Sequence, residues 1–124
     1  PHRRCGGRLW PRDPALQAKA LQWMFWQMSG LGPMMGQAMY FQRIAAFGAA
    51  PKGHVDDFAI ERYIGESKRL LGVLDSHLAG RTSGGGGPYM MGSDYTLVDI
   101  CCWTWAATAF WANISLDEFP AFKE

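Results

Sequence analysis

The sequence predicts an all-α fold, and three observations carry that prediction. Ile60, Tyr63, Ile64, Ser67, Leu70, Leu71, Leu74 and Leu78 keep a 3.6-residue stripe, with Glu61, Lys68 and Asp75 opposite. Two helix starts are written in capping chemistry, at Asp13-Pro14 and at Thr96-Leu97-Val98-Asp99. No stretch alternates apolar and polar residues with the period of two that a strand requires. The chain of 124 residues suits one domain with one core. A hydrophobic share of 48% and an aromatic share of 14% supply a packed interior and exclude wholesale disorder.

Taken in order, residues 1–14 hold Gly6, Gly7, Pro11 and Pro14, show no periodicity and read as a linker. Asp13 is an N-cap acceptor, and Pro14 stands at the first helical position, where a missing N–H costs nothing. Leu16, Ala20, Trp23 and Gln27 then form one face, and Leu21, Phe25 and Met28 another. Apolar residues on both faces predict a helix in the middle of the bundle. Ser29-Gly30-Leu31-Gly32-Pro33 interrupts the pattern, which resumes through Met34, Met35, Ala38, Phe41, Ala45 and Ala46. The Gly-Pro step predicts either a kink or two helices joined by a tight turn.

A loop is expected over 48–53. The helix that carries the clear stripe runs over 56–79, roughly 36 Å at about 1.5 Å per residue. Residues 80–88 contain Gly84-Gly85-Gly86-Gly87 and read as a flexible surface loop; no Lys-Ser or Lys-Thr follows to make a phosphate cradle. In the last long helix the Thr96 hydroxyl and the Asp99 carboxylate are structural caps, with Tyr95 and Ile100 at the positions of a hydrophobic staple. Leu97 to Ile114 is interrupted by Asp99, Thr104, Thr108 and Asn113, so it reads as a buried core helix and not a membrane span. Phe119-Pro120 opens one further helix.

Chemistry-bearing patterns are few. A formal charge of +1 argues against nucleic-acid binding, and the basic run Pro1-His2-Arg3-Arg4 reads as a solvated tail. Three cysteines, with Cys101 and Cys102 adjacent and Cys5 distant, do not form a disulfide framework and suit a reducing, intracellular setting. His2, His54 and His77 lack partners at ligand spacing, so no metal is expected. No Gly-x-Ser-x-Gly elbow is present. Gly30 to Gly36 fails as a dinucleotide loop, because its last glycine falls one place late and no strand precedes it. Cys101 and Cys102 read as small buried hydrophobes, Asp99 as a cap before a general base, and Arg62 with Glu66 as a surface pair worth about 0.3 kcal/mol. The Met-rich and aromatic stretch from Trp23 to Phe41 reads either as core filling or as the wall of an apolar pocket.

Particular words of the sequence say more than its periodicity. Ala20-Leu21-Gln22-Trp23-Met24-Phe25-Trp26-Gln27-Met28-Ser29-Gly30-Leu31-Gly32-Pro33-Met34-Met35-Gly36-Gln37 closely resembles the opening helices of the C-terminal domain in nu-class glutathione transferases, relatives of the yeast prion nitrogen regulator. Ala59-Ile60-Glu61-Arg62-Tyr63, Arg69-Leu70-Leu71-Gly72-Val73-Leu74-Asp75, Met91-Gly92-Ser93-Asp94-Tyr95-Thr96-Leu97-Val98-Asp99-Ile100 and Phe119-Pro120 continue the resemblance in order.

The resemblance implies a cytoplasmic homodimer. It implies residues 1–14 as the end of a thioredoxin-like domain with its linker, and 15–124 as the helical domain, truncated in its last helices. Glutathione would be the co-substrate, with no metal and neither nucleic acid nor membrane as partner. The other substrate would be a small apolar electrophile or a disulfide. Arg62 matches an arginine that reaches a glutathione carboxylate in the dimer. Gly32, Met35, Gln37, Met39 and Tyr40 match the segment facing the substrate pocket, and Trp105 belongs to a Trp-x-Trp word near it. Met39-Tyr40 stands where relatives often carry His-His, and Thr104 where they carry Pro. Two functions compete. One is part of a glutathione transferase or glutathione-disulfide oxidoreductase, supplying the electrophile pocket and dimer-side glutathione contacts. The other is a non-catalytic helical fragment or interaction module derived from that family.

Overall fold

The computed structural model describes residues 9–48 and 57–123. The elements in order are α1 (Pro14–Trp26), a π turn (Gln27–Leu31), α2 (Gly32–Phe47), α3 (Asp57–Ser83), α4 (Leu97–Ala106), two 3-10 turns (Ala109–Ala112 and Leu116–Glu118) and α5 (Pro120–Lys123). Among the described residues the extended backbone amounts to one bridge, Tyr89 with Gly92. The fold is the all-α bundle the sequence predicts. His2, His54, Cys5 and most of the expected 48–53 loop lie outside the described residues.

α1 begins where its caps predict, with the Asp13 carboxylate accepting from the Ala15 N–H at 3.1 Å. Its place in the bundle is different from the expectation. Ala20 is buried, but Leu16 and Leu21 are exposed and Phe25 is 69% exposed, so α1 lies on the surface. The residues before it are stitched down: the Leu97 N–H donates to the Leu9 carbonyl, and Gln17 Nε2 to the Pro11 carbonyl at 2.9 Å.

α1 runs into α2 through the π turn, so the Gly-Pro step produces neither a break nor a tight loop. The Gly32 N–H donates to the Gln27 carbonyl, five residues back. This wider turn sits just ahead of Pro33, whose ring and missing N–H a regular α turn accommodates poorly. The extra residue also changes which faces of α2 meet the rest of the chain.

α2 packs chiefly on α3 and on the turn Ala109–Ala112, and α3 packs in turn on α5. The core joins Leu31, Met35 and Ala38 with Leu70, Leu71, Leu74 and Leu78 of α3 and Val98, Cys102 and Ala106 of α4. The α3 stripe is thus as predicted, but the helix is longer, 27 residues or about 40 Å. It passes Gly80 and ends at Ser83, because the glycine run is a cap and not simply a flexible loop. The Gly86 N–H donates to the Arg81 carbonyl at 2.7 Å and the Gly85 N–H to the Thr82 carbonyl at 3.2 Å. Together with φ +69° at Gly85, this is a Schellman closure, in which a residue with a Cβ is disfavoured. Asp75 also departs from the solvated face expected of it. It is half-buried and accepts from the Phe122 N–H at 3.1 Å, fastening the start of α5 to α3.

α4 ends at Ala106, well short of Ile114. The Thr108 hydroxyl reaches back to the Trp105 carbonyl at 2.8 Å and the Thr104 carbonyl at 3.3 Å, and Asn113 takes the left-handed conformation, φ 57°. Side-chain bonding of this kind competes with helix continuation. No described helix is long and apolar enough to cross a membrane.

Candidate functional site

The start of α4 fixes the geometry of the site. Asp99 is 8% exposed, and its carboxylate accepts from the Thr96 N–H at 2.7 Å, the Thr96 hydroxyl at 2.8 Å and the Met90 N–H at 2.8 Å. Thr96 Oγ1 in turn accepts from the Val98 N–H at 3.3 Å. The capping box therefore does more than start the helix: it ties the 89–92 turn to α4. Nothing in this arrangement leaves Asp99 free for proton transfer. Tyr95, expected to staple onto Ile100, has its ring against Tyr89 at 5.5 Å.

Once started, α4 sends the two tryptophans of the Trp-x-Trp word to different places. Trp103 stacks near Phe122, centroids 5.6 Å apart. Trp105 lies over the opening of α2, where the ring is in reach of Gly32 and Gly36. Trp105, Gly32, Gly36 and Gln37, with Gln27, Met28 and Pro33, line a cleft of about 400 Å³. The glycines let the indole pack close to α2: a Cβ on residue 32 would come within 3.2 Å of Trp105 Nε1, and one on residue 36 within 3.5 Å of the same ring.

The structure brings together only some of the residues matched to a substrate pocket. Gly32, Gln37 and Trp105 share the cleft. Met35 and Met39 are buried in the core, at 0% and 7% exposure, on the side of α2 that meets α3 and the 109–112 turn. Tyr40 is exposed, follows Gly36 by one turn and has its ring against Phe41 at 5.5 Å. So part of the Met-rich stretch fills the core and part lines a cleft.

Arg62 is elsewhere. It lines a second cleft of about 770 Å³ between the π turn and α3, with Ser29, Met34, Phe58, Glu61 and Glu66. The expected pairing of Arg62 with Glu66 is not formed. Glu66 is taken by Arg69 through two bonds of 2.8 Å, which hold its carboxyl below the ordinary carboxylate range, with a weaker pull from Arg62. Arg69 meets the carboxylate with two N–H groups, and Arg62 is left with only a weaker charge influence on it. Among the described residues Arg62 has no ion pair.

The two neighbouring cysteines differ. Cys102 is buried, and burial foremost, helped by Cys101 and Asp99, pushes its thiol up to about 12. It is a core side chain and not a nucleophile. Cys101 is partly exposed, contrary to the expectation that both are buried. Among the described residues no three His, Cys, Asp or Glu side chains are grouped to hold a metal; His77 lies against Trp23 and the Met90 carbonyl.

No family model matches the chain. Its sequence is 39% identical over 107 residues to the disulfide-bond oxidoreductase YfcG of Escherichia coli strain K12, covering 86% of this chain and 44% of the relative. Its structure is similar to a glutathione transferase of Burkholderia graminis solved with two glutathione molecules bound per subunit, at TM-score 0.80 and 33% identity, covering 97% of this chain and 48% of the other. The chain belongs to the glutathione transferase family. A further structure, Ure2p in complex with S-hexylglutathione, is similar at TM-score 0.83 and 29% identity, over 98% of this chain and 55% of that one. The chain spans about half the length of the relatives it matches.

For this glutathione transferase domain, the residue that periodicity passes over is Gln27. The helical pattern sets it on an apolar face with Leu16, Ala20 and Trp23, yet it is a polar side chain, 3% exposed, on the π turn at the cleft. A single amide in an otherwise apolar helical face is the signal that marks it.

Proposed function

We propose that this chain is the helical half of a glutathione transferase or glutathione-disulfide oxidoreductase, and that the cleft over Gly32 and Gly36 seats the second substrate. The observation that supports this most is the mostly apolar cleft beside the Trp105 indole, which packs on Gly32 and Gly36 of α2, with Met28 and Pro33 as further walls. A flat or narrow apolar group fits such a slot, and a few polar groups at its edge set the orientation. The thiolate that attacks is glutathione's own, formed on the thioredoxin-like domain of the family. Cys102 supplies none, because its thiol stays protonated. The role of this domain is then to hold the electrophile or disulfide in line with that sulfur and to exclude water from one side of it.

Arg62 is proposed to receive a glutathione carboxylate. Arg69 occupies Glu66, which leaves the Arg62 guanidinium available to an incoming anion within its own cleft. The two clefts lie on either side of the π turn, so the same local widening positions both. A homodimer is the expected assembly.

The test is titration of the chain with S-hexylglutathione, followed by tryptophan fluorescence. Saturable quenching is expected, and Gly36→Leu, which fills the slot in front of Trp105, is expected to weaken binding at least tenfold. That corresponds to about 1.4 kcal/mol, less than the full burial of an alkyl tail contributes. Unchanged affinity in Gly36→Leu overturns the assignment of the slot.

A further inference from the structure

Gly32, Gly36, Tyr40, Arg43 and Phe47 follow one another at helical spacing and form a single stripe along α2. The chain from 105 to 111 runs beside that stripe. The Trp105 ring packs on Gly32 and Gly36, the Thr108 hydroxyl is 3.9 Å from Met39 Sδ, and the Trp111 ring meets the Arg43 guanidinium. Arg43 Cζ stands 4.9 Å from the Trp111 ring centre and 5.9 Å from that of Phe47, both within reach of cation–π attraction. Arg43 is the one charged residue in 32–47, and residues 100–116 hold none. Among the described residues its guanidinium has no ion pair. The Trp111 and Phe47 side chains stay 46% and 74% exposed, so the guanidinium does not serve to hide them from water. The rings instead hold it in place at the surface, with its N–H donors open to an anion.

We propose that Arg43 recognises an anionic group on the second substrate, so that the preferred electrophile or disulfide is an apolar body with a carboxylate or similar oxyanion at one end. The inference rests on reading the cleft at Gly32 and Gly36 as the substrate slot, and adds the class of substrate it takes. Arg43 follows Gly36 by about 10 Å along the helix axis, at about 1.5 Å per residue. A body seated beside Trp105 therefore brings its charged end to Arg43 when it extends past Tyr40, which is exposed between them on the stripe. There the anion meets the guanidinium through charge-assisted hydrogen bonds. With no acidic side chain on α2 or on 100–116, neither element repels it. Contact with two rings also reduces the side-chain freedom that binding would otherwise remove. Arg43 is thereby a specificity-determining residue, separate from Arg62, which lines the other cleft.

The experiment titrates the chain with phenylbutyrate and with its amide, which share a shape and differ in charge, and follows the indole N–H signals by nuclear magnetic resonance. Phenylbutyrate is expected to bind roughly fivefold tighter at low salt, the upper end of what an exposed charge pair contributes. It is expected to move the signals of both Trp105 and Trp111, and the amide that of Trp105. The preference should shrink at about 1 M salt, where the Debye length falls to about 3 Å. Arg43→Gln is expected to bring phenylbutyrate down to the affinity of the amide. Arg43→Lys, which keeps the charge but not the planar fork, is expected to retain part of the preference. Equal affinity for the two ligands, both moving the Trp105 signal, overturns the role of Arg43 and leaves the slot standing. A preference that survives in Arg43→Gln assigns the anion to another cation and overturns that role as well. If neither ligand moves the Trp105 signal, the slot fails and the inference fails with it.

Discussion

Replacing Asp99 by alanine removes the acceptor for three donors at once: the Thr96 N–H, the Thr96 hydroxyl and the Met90 N–H. The hydroxyl can turn elsewhere, but the two backbone N–H groups are fixed by α4 and by the 89–92 turn. Each lost bond to a charged acceptor costs about 1.5–3 kcal/mol, so about 3–6 kcal/mol is expected for the pair. That is a large share of the roughly 5–15 kcal/mol by which a domain is stable. Asp99→Asn keeps one acceptor oxygen and should lose about half as much. Urea unfolding followed by circular dichroism measures both, with the slope unchanged if the native and unfolded states keep their surface areas. A loss below about 1 kcal/mol in Asp99→Ala would refute the reasoning, because it would mean that neither backbone donor depends on this carboxylate.

The two neighbouring thiols should separate by reactivity. At pH 8 Cys101 alkylates under native conditions and Cys102 does so only on unfolding, read by mass spectrometry of the modified peptides. The folded Cys102 thiol sits at about 12 against an ordinary 9.0, so the native state favours the protonated form. Its contribution to stability is complete below pH 9 and declines as the pH rises toward 12, which unfolding midpoints across that range will show. Arg62→Gln should lower the affinity for glutathione disulfide roughly tenfold, the worth of a charge-assisted hydrogen bond, while Arg62→Lys keeps part of it. Calorimetric titration checks this, and equal affinity in all three chains refutes a role for the guanidinium.

Local chemistry is legible in the sequence where one residue type does one job. Asp13-Pro14 and Thr96-Leu97-Val98-Asp99 mark helix starts because few side chains can satisfy orphan N–H groups there. The α3 stripe is legible because Leu70, Leu71, Leu74 and Leu78 all face one core. The surface position of α1 is not legible. Leu21, Phe25 and Met28 are apolar and yet exposed, and periodicity reports hydrophobicity without saying what covers it. The π turn escapes because a 3.6-residue template has no place for one wide turn, and that turn decides which side chains reach the cleft. Hence Gly32, Gln37 and Trp105 share one cleft, while Met35 and Met39, equally apolar in sequence, turn into the core. The glycine run hides a Schellman closure because that closure is a matter of backbone angles at Gly85 and leaves no side chain to read.

The most direct test of the slot maps S-hexylglutathione onto the chain by amide and indole chemical-shift changes. The largest changes are expected on Gln27, Gly32, Gly36, Gln37 and the Trp105 indole, with a second set around Arg62. Changes centred instead on Trp103, Cys102 and Phe122, which line a separate cleft of about 300 Å³, would contradict the assignment.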